Sequence, residues 1–154
     1  MKYSRKQLDE MRSANTDRWF DEWNETGSKP TWNYKAENEK LWVEWLMSLE
    51  VGDRAHVCHY SDVDPCTVIK KTPTTITVRY DKAELKDTWK PEFVLGGFIA
   101  HCTNNNQQQD AWNIEEDPDG TVEVFRFRKS RNLYMNRYDE RLYPEWAKKY
   151  DYNF

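Results

Sequence analysis

Leu8, Met11, Trp19, Phe20 and Trp23 fall at helical intervals, and Ser4 with Gln7 has the spacing of a capping box. The pattern predicts an amphipathic helix over residues 4–25, with weak periodicity from Ser13 to Thr16. Gly27, Ser28, Lys29 and Pro30 break it. Leu41, Trp42, Trp45, Leu46 and Leu49 then form a second apolar stripe, which predicts a helix over residues 35–49.

At Val51-Gly52-Asp53 the period changes from helical to alternating. Strands are expected over residues 54–60, 66–71 and 74–80, with turns at 61–65 and at Thr72-Pro73. Further strands are expected over 93–103, 111–115, 121–129 and 132–137. A Gly-Asp turn that opens onto three short strands is the pattern of small Src-homology-like barrels. The fold class is therefore α+β: two N-terminal helices packed on a small twisted antiparallel β-sheet or barrel. The helical segment takes residues 1–50 and the barrel-like part residues 51–154, in one compact domain overall.

Two polar stretches interrupt the sheet. Asn104 to Gln109 reads as a solvated loop whose amides satisfy local backbone groups, and residues 115–120 carry an Asp-Pro-Asp-Gly turn. The last twelve positions alternate aromatic and charged residues, so this tail is expected to dock on the barrel.

Composition sharpens the picture in two ways. Mean hydropathy is low at -1.07, yet 8 Trp, 9 Tyr and 6 Phe make 15% of the 154 residues aromatic. Apolar surface is thus concentrated in a few large rings, which suits an interaction protein. The net charge of -4 is too balanced for a histone-like binder and too small for a global mimic of nucleic-acid charge. No apolar run is long enough to span a bilayer, and residues 1–10 are charged rather than signal-like. Three cysteines are too few for a disulfide framework and fit a reducing cytoplasm.

The candidate chemistry is confined to one window. His56, Cys58, His59, Cys66, His101 and Cys102 are all the histidines and cysteines of the chain, and imidazole and thiolate are the ligands zinc prefers. On a strand over 54–60, His56 and Cys58 share a face and His59 takes the other. A four-ligand structural zinc site could draw on Cys58 or His56, with Cys66, His101 and Cys102. No C-x-x-C spacing occurs, so this is neither a finger nor a ribbon; the alternative is small core thiols and satisfied imidazoles. An enzymatic reading would make Cys66 or Cys102 the nucleophile, His101 or His59 the base and Asp62 its orienter. No Gly-rich phosphate loop, dinucleotide fingerprint or serine elbow is present, and the chain is expected not to be an enzyme.

Two surfaces are candidates for partner binding. Trp19 and Trp23 lie on the first helix among acidic groups. Arg126 and Arg128 share one face of a strand, opposite Phe125 and Phe127.

From residue 51 onward a set of ordered stretches carries a resemblance. They are Gly52-Asp53-Arg54, Tyr60-Ser61-Asp62, Cys66-Thr67-Val68-Ile69, and Thr75 to Arg79 with Asp81-Lys82-Ala83. Lys90-Pro91-Glu92-Phe93, Gly96-Gly97-Phe98, His101-Cys102-Thr103-Asn104 and the closing Tyr150-Asp151-Tyr152-Asn153-Phe154 complete them. In these the chain resembles a family of small proteins encoded by phages and prophages of Gram-positive gut bacteria, and it is similar to metal-binding type II anti-CRISPR proteins. The resemblance singles out Cys66, His101 and Cys102 and does not extend over residues 1–50. It implies an inhibitor in the cytoplasm of the bacterial host that binds the type II CRISPR effector nuclease and blocks DNA loading or cleavage, without direct DNA binding. Other readings are a nucleic-acid-binding phage module that uses the barrel face, and a metal- or thiol-dependent hydrolase.

Overall fold

The computed structural model describes residues 3–96 and 99–153. Gly97 and Phe98 of the expected bend, and Phe154 of the closing motif, lie outside the described residues. The chain divides into two compact units, Met1–Leu49 and Glu50–Phe154. The fold class is α+β, with two helices followed by a closed antiparallel barrel.

In the first unit, α1 (Arg5–Thr26) begins at the capping box: Gln7 N–H donates to Ser4 Oγ at 3.1 Å and Ser4 N–H to Gln7 Oε1 at 2.8 Å. It ends on Gly27, whose φ of 73° is the left-handed conformation glycine adopts without a Cβ penalty. Asn33 caps α2 (Tyr34–Met47), its Oδ1 accepting from the amides of Lys35 and Ala36. The weak stretch at 13–16 does not interrupt α1. It is a polar seam to α2, where Asn15 Nδ2 donates to Asn38 Oδ1 and Asn38 Nδ2 to Thr16 Oγ1. Leu8, Trp19, Trp45 and Leu46 are buried.

Among the described residues, the second unit contains ten strands. Six close into a barrel: β1 (Arg54–Cys58), β2 (Val63–Lys71), β3 (Thr75–Tyr80), β8 (Val122–Arg128), β9 (Leu133–Met135) and β10 (Arg141–Pro144). Successive barrel strands pair antiparallel, and β1 against β10 closes the ring. Between β3 and β8 the chain leaves the barrel and forms two nested ladders. The outer pairs β4 (Lys82–Leu85) with β7 (Trp112–Glu115); the inner pairs β5 (Phe93–Gly96) with β6 (Ile99–Cys102).

Alternation of side chains fills the barrel. Ala55, Val57, Cys66, Val68, Ile76, Val78, Phe125, Tyr134 and Leu142 all point inward and are buried. The register of β2 on β3 slips between Val68 and Lys70, which places Ile69 outside. Asp81 pins the start of the excursion: its carboxylate accepts from Thr67 Oγ1 at 2.7 Å, Trp146 Nε1 at 3.0 Å and the Asp117 amide at 3.2 Å. Gly120 is required at the return, because a Cβ there would lie 2.0 Å from the Tyr80 carbonyl oxygen.

The tail docks as its aromatic content predicts. Lys149 bridges to Val63, and Trp146 Nε1 also donates to the Cys66 carbonyl at 3.0 Å. The Asn/Gln stretch differs from expectation: Asn105 and Gln108 are buried and bind the tail rather than local backbone alone. Gln108 donates to the Tyr150 carbonyl at 2.7 Å and accepts from the Tyr150 amide at 3.0 Å, while Asn105 Oδ1 accepts from the Tyr152 amide. A polar run of amides is thus a buried staple, because the tail's backbone groups need partners once they leave water.

Candidate functional site

The four expected zinc ligands are not brought together. Cys58 pairs with Val63 and Cys66 with Ala55 on the β1–β2 ladder. Three steps separate the two rungs, so the thiols lie on opposite faces of the barrel wall. Cys66 and Ala55 fill the interior, fully buried. His101 and Cys102 are neighbours on β6, with His101 exposed and Cys102 buried. Among the described residues, no group of three or more His, Cys, Asp or Glu side chains is arranged to hold a metal ion. The set Cys58, Cys66, His101, Cys102 is therefore not an assembled site here, because strand alternation separates what sequence proximity joins.

The thiols have local explanations. Burial pushes Cys66 far above the ordinary thiol range, and Asp81 and Asp64 push it the same way. Burial also raises Cys58, against an opposing pull from Arg141. Cys102 donates its thiol to Asn104 Oδ1 at 3.3 Å, while its backbone groups pair with Asn153 at 2.7 and 3.1 Å. Cys66 lacks the electropositive setting that makes a thiolate nucleophile, and at Cys58 the effect of burial outweighs that of Arg141.

His59 is placed in a constellation that the sequence did not reveal. Its Nε2 lies 2.9 Å from Asp64 Oδ2, and its Nδ1 bonds Glu140 Oε2. Lys148 Nζ donates to Asp64 Oδ1 at 2.7 Å, Asn136 Nδ2 donates to Glu140 Oε1 at 2.9 Å, and the Tyr80 ring stacks alongside. Two carboxylates on the two ring nitrogens require both to carry protons. The hydrogen bond to Asp64, with Glu140 adding to it, raises His59 to about 9, while His59 and then Lys148 lower Asp64 to about 2. An imidazolium with no free lone pair can neither ligate a metal nor act as a base. The group is a charge-balanced clamp between the end of β1, β2 and the turn before β10. Glu140 and Lys148 were missed because they lie 81 and 84 residues from their partners.

The partner-binding expectations divide similarly. Trp19 is only 6% exposed, so it is not a contact residue. Its ring is the hub against which Phe20, Trp23 and Tyr34 pack at centroid distances of 5.0, 5.2 and 5.1 Å. Its Nε1 donates to the Trp32 carbonyl at 2.9 Å, and Trp32 Nε1 donates to Glu22 Oε2 at 2.8 Å. Trp23 remains 40% and Phe20 46% exposed. With Pro30, Trp32 and Tyr34 they wall a cleft of about 450 Å³, rimmed by Lys29 and Lys35. In the barrel, Arg126 is exposed, whereas Arg128 is held by Asp139 at 2.5 Å and by the Asn136 carbonyl at 3.3 Å. Phe125 and Phe127 face the other way, as alternation predicts, with Phe125 fully buried.

Comparison with protein-family models, with curated proteins and with solved structures finds no match to this chain. Among the described residues no helix is long and apolar enough to cross a membrane.

Proposed function

We propose that this protein is a binding inhibitor that docks a protein partner through the aromatic cleft of its helical unit, without turnover. One observation carries the reading: Phe20 and Trp23 are exposed while being held edge-on by a buried, hydrogen-bonded Trp19. Rigid rings beside a cleft lose little conformational entropy on docking and are the residues that dominate interface energetics. The buried Cys66 thiol, pushed up by burial, and the doubly paired His59 favour binding over catalysis. The resemblance read from residues 51–154 supports the type II CRISPR effector nuclease as that partner, with DNA loading or cleavage blocked by occupancy of its surface in the bacterial cytoplasm.

The test is co-migration of the purified protein with that nuclease, alone and with guide RNA, together with a DNA-cleavage assay. Complex formation with loss of cleavage is expected, and Trp23→Ala should relieve both. Failure to bind either form of the nuclease would overturn the reading.

A further inference from the structure

The ladder register of the barrel sets Arg126, Met135, Arg141 and Cys58 in one row across β8, β9, β10 and β1. Direct cross-strand partners point to the same face, so Met135 lies between two arginines on the outer face of the wall, where it is covered to 2% exposure. Met135 and Cys58 contribute to the wall of a cleft of about 500 Å³ that Arg131, Arg141, Tyr60 and Tyr138 also line, together with His59, Asp139 and Glu140. Tyr60 is 91% and Tyr138 62% exposed. The Arg137 guanidinium lies 4.7 Å from the Tyr138 ring centre, which steadies that ring.

The charge of this face is opposite to that of the protein. Between residues 126 and 141 the cations are Arg126, Arg128, Lys129, Arg131, Arg137 and Arg141, against Asp139 and Glu140 alone. Both carboxylates are already engaged, Asp139 by Arg128 and Glu140 by His59. Arg126, Lys129, Arg131 and Arg141 are exposed and have no ion-pair partner among the described residues. Arg126 and Arg141 stand two strand spacings apart, about 10 Å, so each guanidinium can take a phosphate of its own. Successive phosphates of a polymer would satisfy them, with unstacked bases reaching the exposed rings of Tyr60 and Tyr138. A duplex hides those faces.

We propose that this outer face of the barrel binds single-stranded nucleic acid, with Tyr60 and Tyr138 stacking on bases and Arg126, Arg131 and Arg141 holding phosphates. This goes beyond protein docking by the helical unit and departs from the expectation of no direct DNA contact.

The experiment is fluorescence anisotropy of labelled oligo(dT) and oligo(U), with a duplex of equal length and poly-glutamate as comparisons, over a range of salt. Binding of at least one single strand is expected, and the preferred sugar identifies DNA or RNA as the source. Tyr60→Ala and Tyr138→Ala should each weaken it by about 5-fold or more. Arg131→Gln and Arg141→Gln should each lower the log–log salt slope by roughly 0.7. Trp23→Ala should leave binding unchanged, which separates this site from nuclease docking. Circular dichroism melts establish that each variant is folded. Absence of binding, equal affinity for duplex, tighter binding of poly-glutamate, or insensitivity to both tyrosine substitutions would overturn the proposal.

Discussion

In the helical unit the buried indole of Trp19 carries a fringe of rings that stay open to water, whereas in the barrel the rings of Phe125 and Tyr134 turn inward and the outer wall carries arginines. Two helices can offer each other only one stripe apiece, so a sequence with several tryptophans in that segment leaves some uncovered. A closed barrel gives every strand an inside and an outside, and alternation sends most apolar side chains inward and most charges outward, with Ile69, Val122 and Val124 left on the outer face. The first unit therefore exposes rings around a buried indole, whereas the second exposes charge together with Tyr60 and Tyr138, and the two surfaces suit different partners.

The sharpest way to break this comparison is to truncate one ring in each unit. Phe125→Ala, at a fully buried position, should cost about 3–5 kcal/mol in urea unfolding, while Phe20→Ala should cost no more than about 0.5 kcal/mol. Equal losses would mean that the exposed rings are structural. Next in size, Trp23→Ala should weaken nuclease binding by about 30-fold, the signature of an interface anchor, with an unchanged melting temperature.

A smaller effect belongs to the clamp. His59 is raised from 6.5 to about 9 on folding, so its contribution is complete below about pH 6.5 and fades as pH rises through 9. Asp64 is lowered from 3.8 to about 2, so its contribution is complete above about pH 3.8 and is lost as pH falls toward 2. Stability should therefore plateau between those limits. His59→Gln should remove about 1–2 kcal/mol on the plateau, allowing for partial exposure of the group, and should flatten the alkaline slope; an unchanged slope in urea titrations at pH 6 and 9.5 would refute the assignment. Smallest of all, Ser4→Ala should cost about 0.5–1 kcal/mol by removing the α1 cap, detectable as lower helical signal on mild heating.

How much was legible in the sequence follows the range of the interactions. Both helices lie within two residues of their predicted limits at each end, because caps and stripes are local. The expected strand over 93–103 is instead the hairpin of β5 and β6, and β4 and β10 escaped notice, since four-residue strands with mixed polarity carry little periodicity. The turn assigned to 61–65 yields Val63, Asp64 and Pro65 to β2, whose pairing with β1 overrides local turn preference. Chemistry was less legible than fold. Clustering of cysteine and histidine along the chain suggested a metal site, but strand alternation disperses those side chains, and the clamp that forms instead relies on Glu140 and Lys148 from far along the chain.

The β1–β10 seam has a consequence for how the molecule comes into being. Every other joint of the barrel links strands adjacent in the ring's sequence order, although β3 and β8 wait for the intervening excursion; the seam links residues as far apart as His56 and Glu145, 89 positions. During synthesis the nascent wall must remain an open sheet, with β1 presenting an unpaired edge, until residues 141–144 emerge. High contact order of this kind slows folding and exposes that edge to mispairing. A ribosome-bound chain halted before β10 is thus the species most exposed to aggregation, and the one for which a chaperone would matter most.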